Sequence, residues 1–271
     1  MSSNPIFLQL DIILPAFLAG LLVLSTHVPM GQEVLRRGII FLDLAIAQMA
    51  AFGLIIAGYL GIGVHEGHAS ELISQLIAVS GAVASASLFY RFRNAPARIQ
   101  EALIGVLFML AATGSVLVLA KDPHGGERLK EIMVGQILWV EYTDLLTIAL
   151  IYSAVLFIWF KYKNKLGAYG FYPLFAITIT LSTQLVGVYL VFASLIVPAL
   201  GSLHRKKSLL VAYSIGFLGY TLGLLASAIF DVPSGPIIAW LLAALAAGFY
   251  VITQIIDSTK GKKNAVSVLE S

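Results

Sequence analysis

The 271-residue sequence contains no cysteine, and only 11% of its residues are charged. The lack of cysteine excludes disulfides, thiolate metal sites and cysteine-based catalysis. The scarcity of charge, together with 59% hydrophobic residues and a mean hydropathy of +0.93, is typical of a membrane protein. The net charge of +3 is small and its basic residues are scattered, so nucleic acid is not an expected partner.

The sequence also lacks the alternation of polar and apolar residues that a membrane-spanning β-barrel requires. Apolar windows of roughly 20 residues recur instead, which is the length of a helix that crosses a bilayer. No Lys or Arg precedes the first window, so we interpret it as a retained span and not as a signal peptide. These features predict an all-α, multi-pass membrane protein. The candidate spans are residues 6–27, 39–63, 72–90, 102–120, 145–160, 170–184, 186–200, 209–230 and 237–256.

The stretch 170–200 decides between eight and nine spans. Its length fits either one long helix or a short hairpin that turns at 184–187. A hairpin places every basic cluster on one side, and the positive-inside rule makes that side cytoplasmic and puts the N-terminus outside. We therefore predict the hairpin. The basic clusters are Arg36 and Arg37; Arg91, Arg93 and Arg98; Lys161, Lys163 and Lys165; Arg205, Lys206 and Lys207; and Lys260, Lys262 and Lys263.

The connecting loops are short and leave no room for a soluble domain. We predict one membrane domain over residues 1–258 and a cytoplasmic basic tail over 259–271. The sequence has no glycine-rich nucleotide loop and no Ser/His/Asp arrangement placed for catalysis. Enzyme activity is therefore not expected, and any ATP hydrolysis belongs to a separate chain.

The run 41–53 (FLDLAIAQMAAFG) places a carboxylate, Asp43, inside an apolar span. Such carboxylates usually face the protein interior or a water-filled path, because charge in a bilayer costs on the order of 2.5–3.5 kcal/mol. The alternative is an ion pair with Arg36, two turns earlier on the same predicted face. On a helix Ala47 shares the Asp43 face, whereas Gln48 is turned away by about 140°. We expect Gln48 to bond a neighbouring helix.

Two predicted external segments, 63–71 (GVHEGHASE) and 121–131 (KDPHGGERLKE), offer side chains that bind metals. Imidazole and carboxylate groups suit zinc or manganese. Solvated polar turns are the simpler interpretation of both segments. The candidate ligands are His65, Glu66, His68, Glu71, His124 and Glu127.

Gly219, Gly223 and Ser227 recur at four-residue spacing in one span. Small residues at this spacing allow helices to approach closely, and a homodimer seam is one form of such packing.

Four stretches, in order, resemble the permeases of metal-type ABC importers (ABC transporter family 3), which take up zinc, manganese and iron. Residues 29–43 (PMGQEVLRRGIIFLD) are similar to a segment that leads into the second span, and 129–146 to a leucine-rich segment with a central glycine. Residues 186–200 (VGVYLVFASLIVPAL) resemble a run that ends in Pro-Ala, and 229–238 (IFDVPSGPII) a turn before the last span. The packing or gating residues predicted in the last two are Gly187, Pro198, Asp231, Pro233 and Gly235.

The resemblance implies a homodimeric permease in the lipid of a bacterial inner (plasma) membrane. It also implies a cytoplasmic ABC ATPase and a periplasmic metal-binding protein as partners. The cation path would follow the second span, where Asp43, Ala47 and Gln48 are the candidates. No covalently bound cofactor is implied, and zinc or manganese is the expected transported ion.

The sequence departs from the family at two places. The family aspartate is commonly followed one turn later by a histidine, and Ala47 occupies that position here. Family members also carry a longer helical connection that contacts the ATPase, whereas 161–170 (KYKNKLGAYG) joins two spans almost directly. ATPase contact is therefore expected to be altered, moved to another surface such as 91–101, or lost.

Three hypotheses follow for the function. The first is an ATP-driven importer of zinc or manganese. The second is a permease of the same fold for a metal chelate or another small solute. The third is a membrane protein that is no longer coupled to an ATPase.

Overall fold

A computed structural model describes residues 5–62, 68–203, 205 and 207–269 of the chain. The described residues form helices and no strand, so the all-α prediction is confirmed. The helices are α1 (Pro5–Arg37), α2 (Leu42–Tyr59), α3 (His68–Arg91), α4 (Ala97–Leu119), α5 (Gly125–Val134), α6 (Tyr142–Gly201), α7 (Ser208–Phe230) and α8 (Ser234–Leu269), with a short 3₁₀ turn at Ile137–Trp139.

Among the described residues, eight helical stretches are long and apolar enough to cross a membrane. One of them, Gly167–Gly201, has 35 residues, which is about 50 Å as a straight helix and far more than a bilayer core requires. This stretch is not straight, and its course determines the topology.

Two glycines with non-helical backbone angles divide α6 into three segments. Gly167 has φ 51° and ψ −132°, and Gly187 has φ 79° and ψ 161°. Both conformations are available to glycine because it has no Cβ. We name the segments α6a (142–166), α6b (168–186) and α6c (188–201).

The contacts at the two ends of the Gly167–Gly201 stretch show that it folds back on itself. Phe171, near the start of α6b, lies under the Arg37 guanidinium, 4.5 Å from its ring centroid. Ala199, near the end of α6c, lines the same cavity as Arg36. Both ends of the stretch therefore meet the C-terminal end of α1. The predicted hairpin is confirmed, with its turn at Gly187.

The hairpin brings four of the five basic clusters to one end of the molecule. Tyr90, next to Arg91, contacts Tyr169 and Tyr172 at the start of α6b, with ring centroids 5.7 and 6.0 Å apart. Arg205 lines the same cavity as Arg36. We call this the basic end; the hairpin turn and residues 120–136 lie at the opposite end.

The hairpin and α2 form the centre of the fold. In an apolar 18-residue stretch within Gly167–Gly201, 72% of the residues are buried, and in α2 61% are buried, whereas in the corresponding stretches of α4 and α8 only 22% are. The glycines of α7 contribute to packing within the chain: a Cβ on Gly223 would lie 2.8 Å from Cα of Ile238 in α8, and one on Gly219 would lie 2.8 Å from Cγ of Leu242. α8 continues to Leu269, so the predicted tail begins inside a helix.

Candidate cation path along helix α2

Asp43 lies in the first turn of α2 and is fully buried. Neither of its carboxylate oxygens has a hydrogen-bond partner in the part of the chain that the structure describes. The backbone amides of Asp43 and Leu44 are close to the carboxylate without reaching hydrogen-bond geometry. The start of a helix favours negative charge through its exposed N–H groups, which explains why a carboxylate is tolerated there. A buried acid of this kind has unused capacity to accept a donor or a cation.

The ion-pair alternative for Asp43 fails because Arg36 is engaged elsewhere. Arg36 donates from Nη2 to both carboxylate oxygens of Glu33 at 2.6 Å, and Arg37 donates from Nε to one of them at 2.8 Å. The prediction that Arg36 and Asp43 share one helical face is wrong. α1 ends at Arg37, and Gly38, with φ 70°, separates it from α2.

The two residues predicted beside Asp43 are also buried: Ala47 is 1% and Gln48 2% exposed. α2 is an uninterrupted helix, so Ala47 shares the Asp43 face and Gln48 does not. Ala47 therefore presents only a methyl group towards Asp43, at the position where the resembled family commonly has a histidine.

Of the candidate ligands in the external segments, the structure describes the side chains of only His124 and Glu127. His65 and Glu66 lie outside the described residues, as do the side chains of His68 and Glu71 in α3. His124 Nδ1 lies 3.3 Å from a carboxylate oxygen of Glu127, and both side chains are about three-quarters exposed. No group of three or more His, Asp or Glu side chains that could hold a metal occurs in the described ranges. The His124–Glu127 pair is a surface contact at the start of α5.

Three glycines from distant parts of the sequence meet at the hairpin turn. A Cβ on Gly187 would lie 2.7 Å from Cα of Gly135, and one on Gly135 would lie 2.5 Å from the amide nitrogen of Gly187. A Cβ on Gly235 would overlap the carbonyl oxygen of Val134. Gly187 and Gly235 therefore pack closely against backbone at this glycine contact. Their predicted gating role stays a prediction.

The other predicted packing residues shape helix ends. Asp231 ends α7 in the left-handed conformation, with φ 51°, and its amide donates to the carbonyl of Ser227. The carbonyl of Pro233 accepts from Ile237 at 3.3 Å as α8 begins, and the carbonyl of Pro198 accepts from Ser202 at 3.2 Å as α6c ends.

A cleft of about 280 Å³ at the opposite end of the molecule, with several polar side chains in its lining, was not foreseen from the sequence. We call it the outer cleft. It is lined by side chains with oxygen or amide groups and by the wall of α2 at Leu54. The Nε2 of Gln184 is buried and has no hydrogen-bond partner among the described residues. The polar lining residues are Ser74, Gln75, Glu131, Gln136, Thr183 and Gln184.

A buried hydroxyl network in the centre of the molecule was also missed. Tyr152 in α6a donates to the carbonyl of Thr178 at 3.2 Å and bonds the Ser182 hydroxyl, both in α6b. Tyr220 in α7 bonds Ser194 in α6c at 2.8 Å. The four-residue spacing of Thr178 and Ser182 is the signal that could have indicated a polar helix face.

A multi-pass helical chain that buries an acid and hydroxyl groups at its centre has the features of a membrane transport protein. Residues 9–173 and 162–254 match the sequence pattern of the ABC 3 transport family. The chain belongs to the ABC 3 transport family. It is thus an ABC-type permease, the membrane-spanning subunit of a transporter, and the family resemblance seen in the sequence is confirmed.

Two curated relatives align with nearly the whole chain. A Haemophilus influenzae protein named "Probable iron transport system membrane protein" is 28% identical, covering 90% of this chain and 93% of the relative. A membrane protein from the ycf23-apcF intergenic region of Cyanophora paradoxa is 25% identical, covering 94% and 90% respectively.

Two solved structures share the fold. PsaBC from Streptococcus pneumoniae, in complex with a Fab, has a TM-score of 0.68 at 17% identity and covers 88% of this chain and 89% of its own. An inward-facing structure assigned to the metal-chelate type of ABC transporters has a TM-score of 0.65 at 15% identity, covering 92% and 89%.

Proposed function

We propose that the chain is the permease subunit of an ATP-driven importer of a divalent transition-metal cation. The observation that carries this proposal is Asp43, a fully buried carboxylate on a central spanning helix, both of whose oxygens lack a partner among the described residues. Intramembrane acids of this kind mark ion pathways, because the cost of burying them is otherwise uncompensated.

The outer cleft supplies an entry to this path. Leu54 in its wall is eleven residues beyond Asp43 on α2, about 16 Å along the helix. The cleft offers the Glu131 carboxylate and the amides of Gln75 and Gln184, which can replace or bind water around an ion. Oxygen donors without imidazole suit manganese better than zinc, and the iron named for the Haemophilus influenzae relative is a further candidate.

The partners follow from the proposed role. ATP would be hydrolysed by a separate cytoplasmic ABC ATPase, and a periplasmic binding protein would deliver the cation to the outer cleft. The functional unit would be a homodimer in a bacterial inner membrane, with the basic end in the cytoplasm.

Replacing Asp43 tests the proposal directly. Asp43→Asn keeps the size of the side chain and removes its charge, so uptake of manganese, iron or zinc should fall at least tenfold in a strain that depends on this permease. Asp144→Asn is the matched control, since Asp144 is exposed at the start of α6a and should leave uptake unchanged. If the Asp43 variant is present in the membrane in the same amount as the original chain and transports normally, Asp43 has a structural role and not a role in transport.

A metal chelate is a second candidate substrate. Ala47 leaves Asp43 without a second ligand one turn away, which is a poor site for a bare ion. One fold neighbour is assigned to the metal-chelate type of transporter. If a chelate is the substrate, a deletion strain supplied with the gene should regain growth on chelated metal and not on the free ion.

The connection at the basic end motivates the third candidate, an uncoupled membrane protein. Only Gly167 separates α6a from α6b, so the described part of 161–170 contains no additional helix to contact an ATPase. Co-purification with an ATPase whose hydrolysis the permease stimulates would eliminate this candidate. Absence of any such ATPase would instead contradict an ATP-driven importer.

A further inference from the structure

A groove of about 310 Å³ opens at the basic end between α1, the end of α6a, the end of α6c and the start of α7. We call it the inner groove. Its wall includes polar and charged side chains from α1 and the segment after α6c, and large apolar side chains from α6a and α7. The residues that matter below are Gln32, Arg36, Trp159, Phe160, Leu203 and Arg205.

The inner groove is positively charged. Arg36 and Arg205 line it, and the Arg36 side chain is 67% exposed. Glu33, the one carboxylate among the described residues of the wall, accepts hydrogen bonds from both Arg36 and Arg37. Because guanidinium groups outnumber this carboxylate, an anionic group that enters the groove is attracted.

The groove also contains a buried donor that lacks an acceptor. Nε2 of Gln32 is buried and has no hydrogen-bond partner in the described structure. Burying an amide N–H without a partner is unfavourable, so the position favours a ligand that brings an oxygen acceptor. A phosphate oxygen near Arg36 would meet this requirement.

The rest of the wall is apolar and open at its side. Phe160 is 62% exposed, Leu203 45% and Leu209 41%. These residues lie at or beside the ends of spanning helices, where exposed apolar side chains can contact the acyl chains of a bilayer. The groove therefore suits an occupant that combines an anionic, oxygen-rich head with hydrocarbon, which a free phosphate does not.

We propose that the inner groove binds the headgroup of an anionic phospholipid from the leaflet at the basic end. Arg36 and Arg205 attract the phosphate, Gln32 donates a hydrogen bond to it, and the acyl chains lie along Phe160 and Leu203. Basic pockets between spanning helices on the cytoplasmic side are suited to such headgroups. The proposal is independent of the transported substrate.

Trp159 provides a built-in reporter, since it lines the groove. The other two tryptophans, Trp139 and Trp240, are 80% and 77% exposed and can be replaced by Phe to leave a single reporter. The chain would be reconstituted in phosphatidylcholine vesicles that contain equal fractions of bromine-labelled phosphatidylglycerol or bromine-labelled phosphatidylcholine. We expect the labelled phosphatidylglycerol to quench Trp159 with a roughly fivefold higher apparent affinity.

The variants Arg205→Gln and Gln32→Leu should each reduce this preference. Arg98→Gln is the matched control: Arg98 is exposed in another basic cluster, outside the inner groove, and its loss should leave the preference intact. Arg36 is left unchanged because its removal would disturb the Glu33 ion pair. Native mass spectrometry of the unmodified chain gives a second measurement, in which retained phosphatidylglycerol should be lost from the Arg205 and Gln32 variants.

Equal quenching by the two labelled lipids would overturn the proposal, as would an equal loss of preference in the Arg98 control, which would indicate a general surface-charge effect. Lipid-independent quenching together with failure of the Arg205 variant to bind an ATPase would assign the groove to a protein partner instead, and would likewise contradict a lipid site.

Discussion

Asp43 carries its carboxylate in the protein interior with no side-chain partner among the described residues, and this has a cost in stability. Without metal, Asp43→Asn should therefore stabilise the purified chain, by up to about 2.5 kcal/mol, the lower end of the intramembrane charge cost. Thermal unfolding in detergent measures the effect. Added manganese should raise the unfolding temperature of the original chain and not that of the variant, because a ligand stabilises only the state that binds it. A metal-induced shift in both would place the cation elsewhere.

Glu33 illustrates the opposite case of a buried acid that is fully paired. Glu33→Gln leaves Arg36 and Arg37 without their shared carboxylate and should lower the free energy of unfolding by about 1.5–3 kcal/mol. Glu127→Gln breaks an exposed pair and should change it by less than about 1 kcal/mol. Equal effects in chemical unfolding of the two variants would contradict this ranking.

At this scale the sequence identified Asp43 as an intramembrane acid but wrongly placed it on the same helical face as Arg36. An intramembrane carboxylate stands out in composition alone, so Asp43 could be selected. Its separation from Arg36 could not, because that depends on the positive φ of Gly38, which ends one helix before the next begins. The pairing of Glu33 with both arginines could have been predicted, because Arg36 and Arg37 follow it at i+3 and i+4 on one helix.

At the scale of elements, the hairpin of α6b and α6c depends on the glycine contact at its turn. Gly187→Ala forces a side chain into a left-handed backbone position and against the backbone of Gly135, so it should destabilise the chain by about 2–4 kcal/mol. Gly248→Ala is the control, and its effect on stability should be the opposite. That glycine lies in α8 with open space around it, and the substitution should stabilise the helix by up to about 1 kcal/mol. If Gly187→Ala leaves the free energy of unfolding unchanged, the backbones at the glycine contact are not tightly packed.

The hairpin itself could be predicted because charge is a long-range signal. The basic clusters before and after it had to face one side, and only a reversal near 184–187 allows this. The outer cleft could not be predicted, since Ser74, Glu131 and Gln184 are far apart in sequence and share no spacing. Their meeting is a property of helix packing, which single-helix periodicity does not report.

For the whole molecule, the lack of native cysteine makes the predicted topology easy to test. Single cysteines at Tyr169 and Leu203, both exposed at the basic end, should react with a maleimide only after it has crossed the membrane. A cysteine at Gln136, in the outer cleft, should react with an impermeant maleimide added outside. Labelling of Tyr169→Cys and Leu203→Cys from different sides would refute the hairpin, and labelling of both from outside would reverse the orientation.

The glycine contact also has a consequence for biosynthesis. Gly135, Gly187 and Gly235 leave the ribosome at widely separated times, with Gly235 the last, at the start of α8. While the chain is being made, the hairpin can be inserted and can meet Gly135, but the third backbone arrives only when the final span is translated. This end of the permease can thus reach its final packing only after the start of α8 has been made, which is later than insertion of the hairpin.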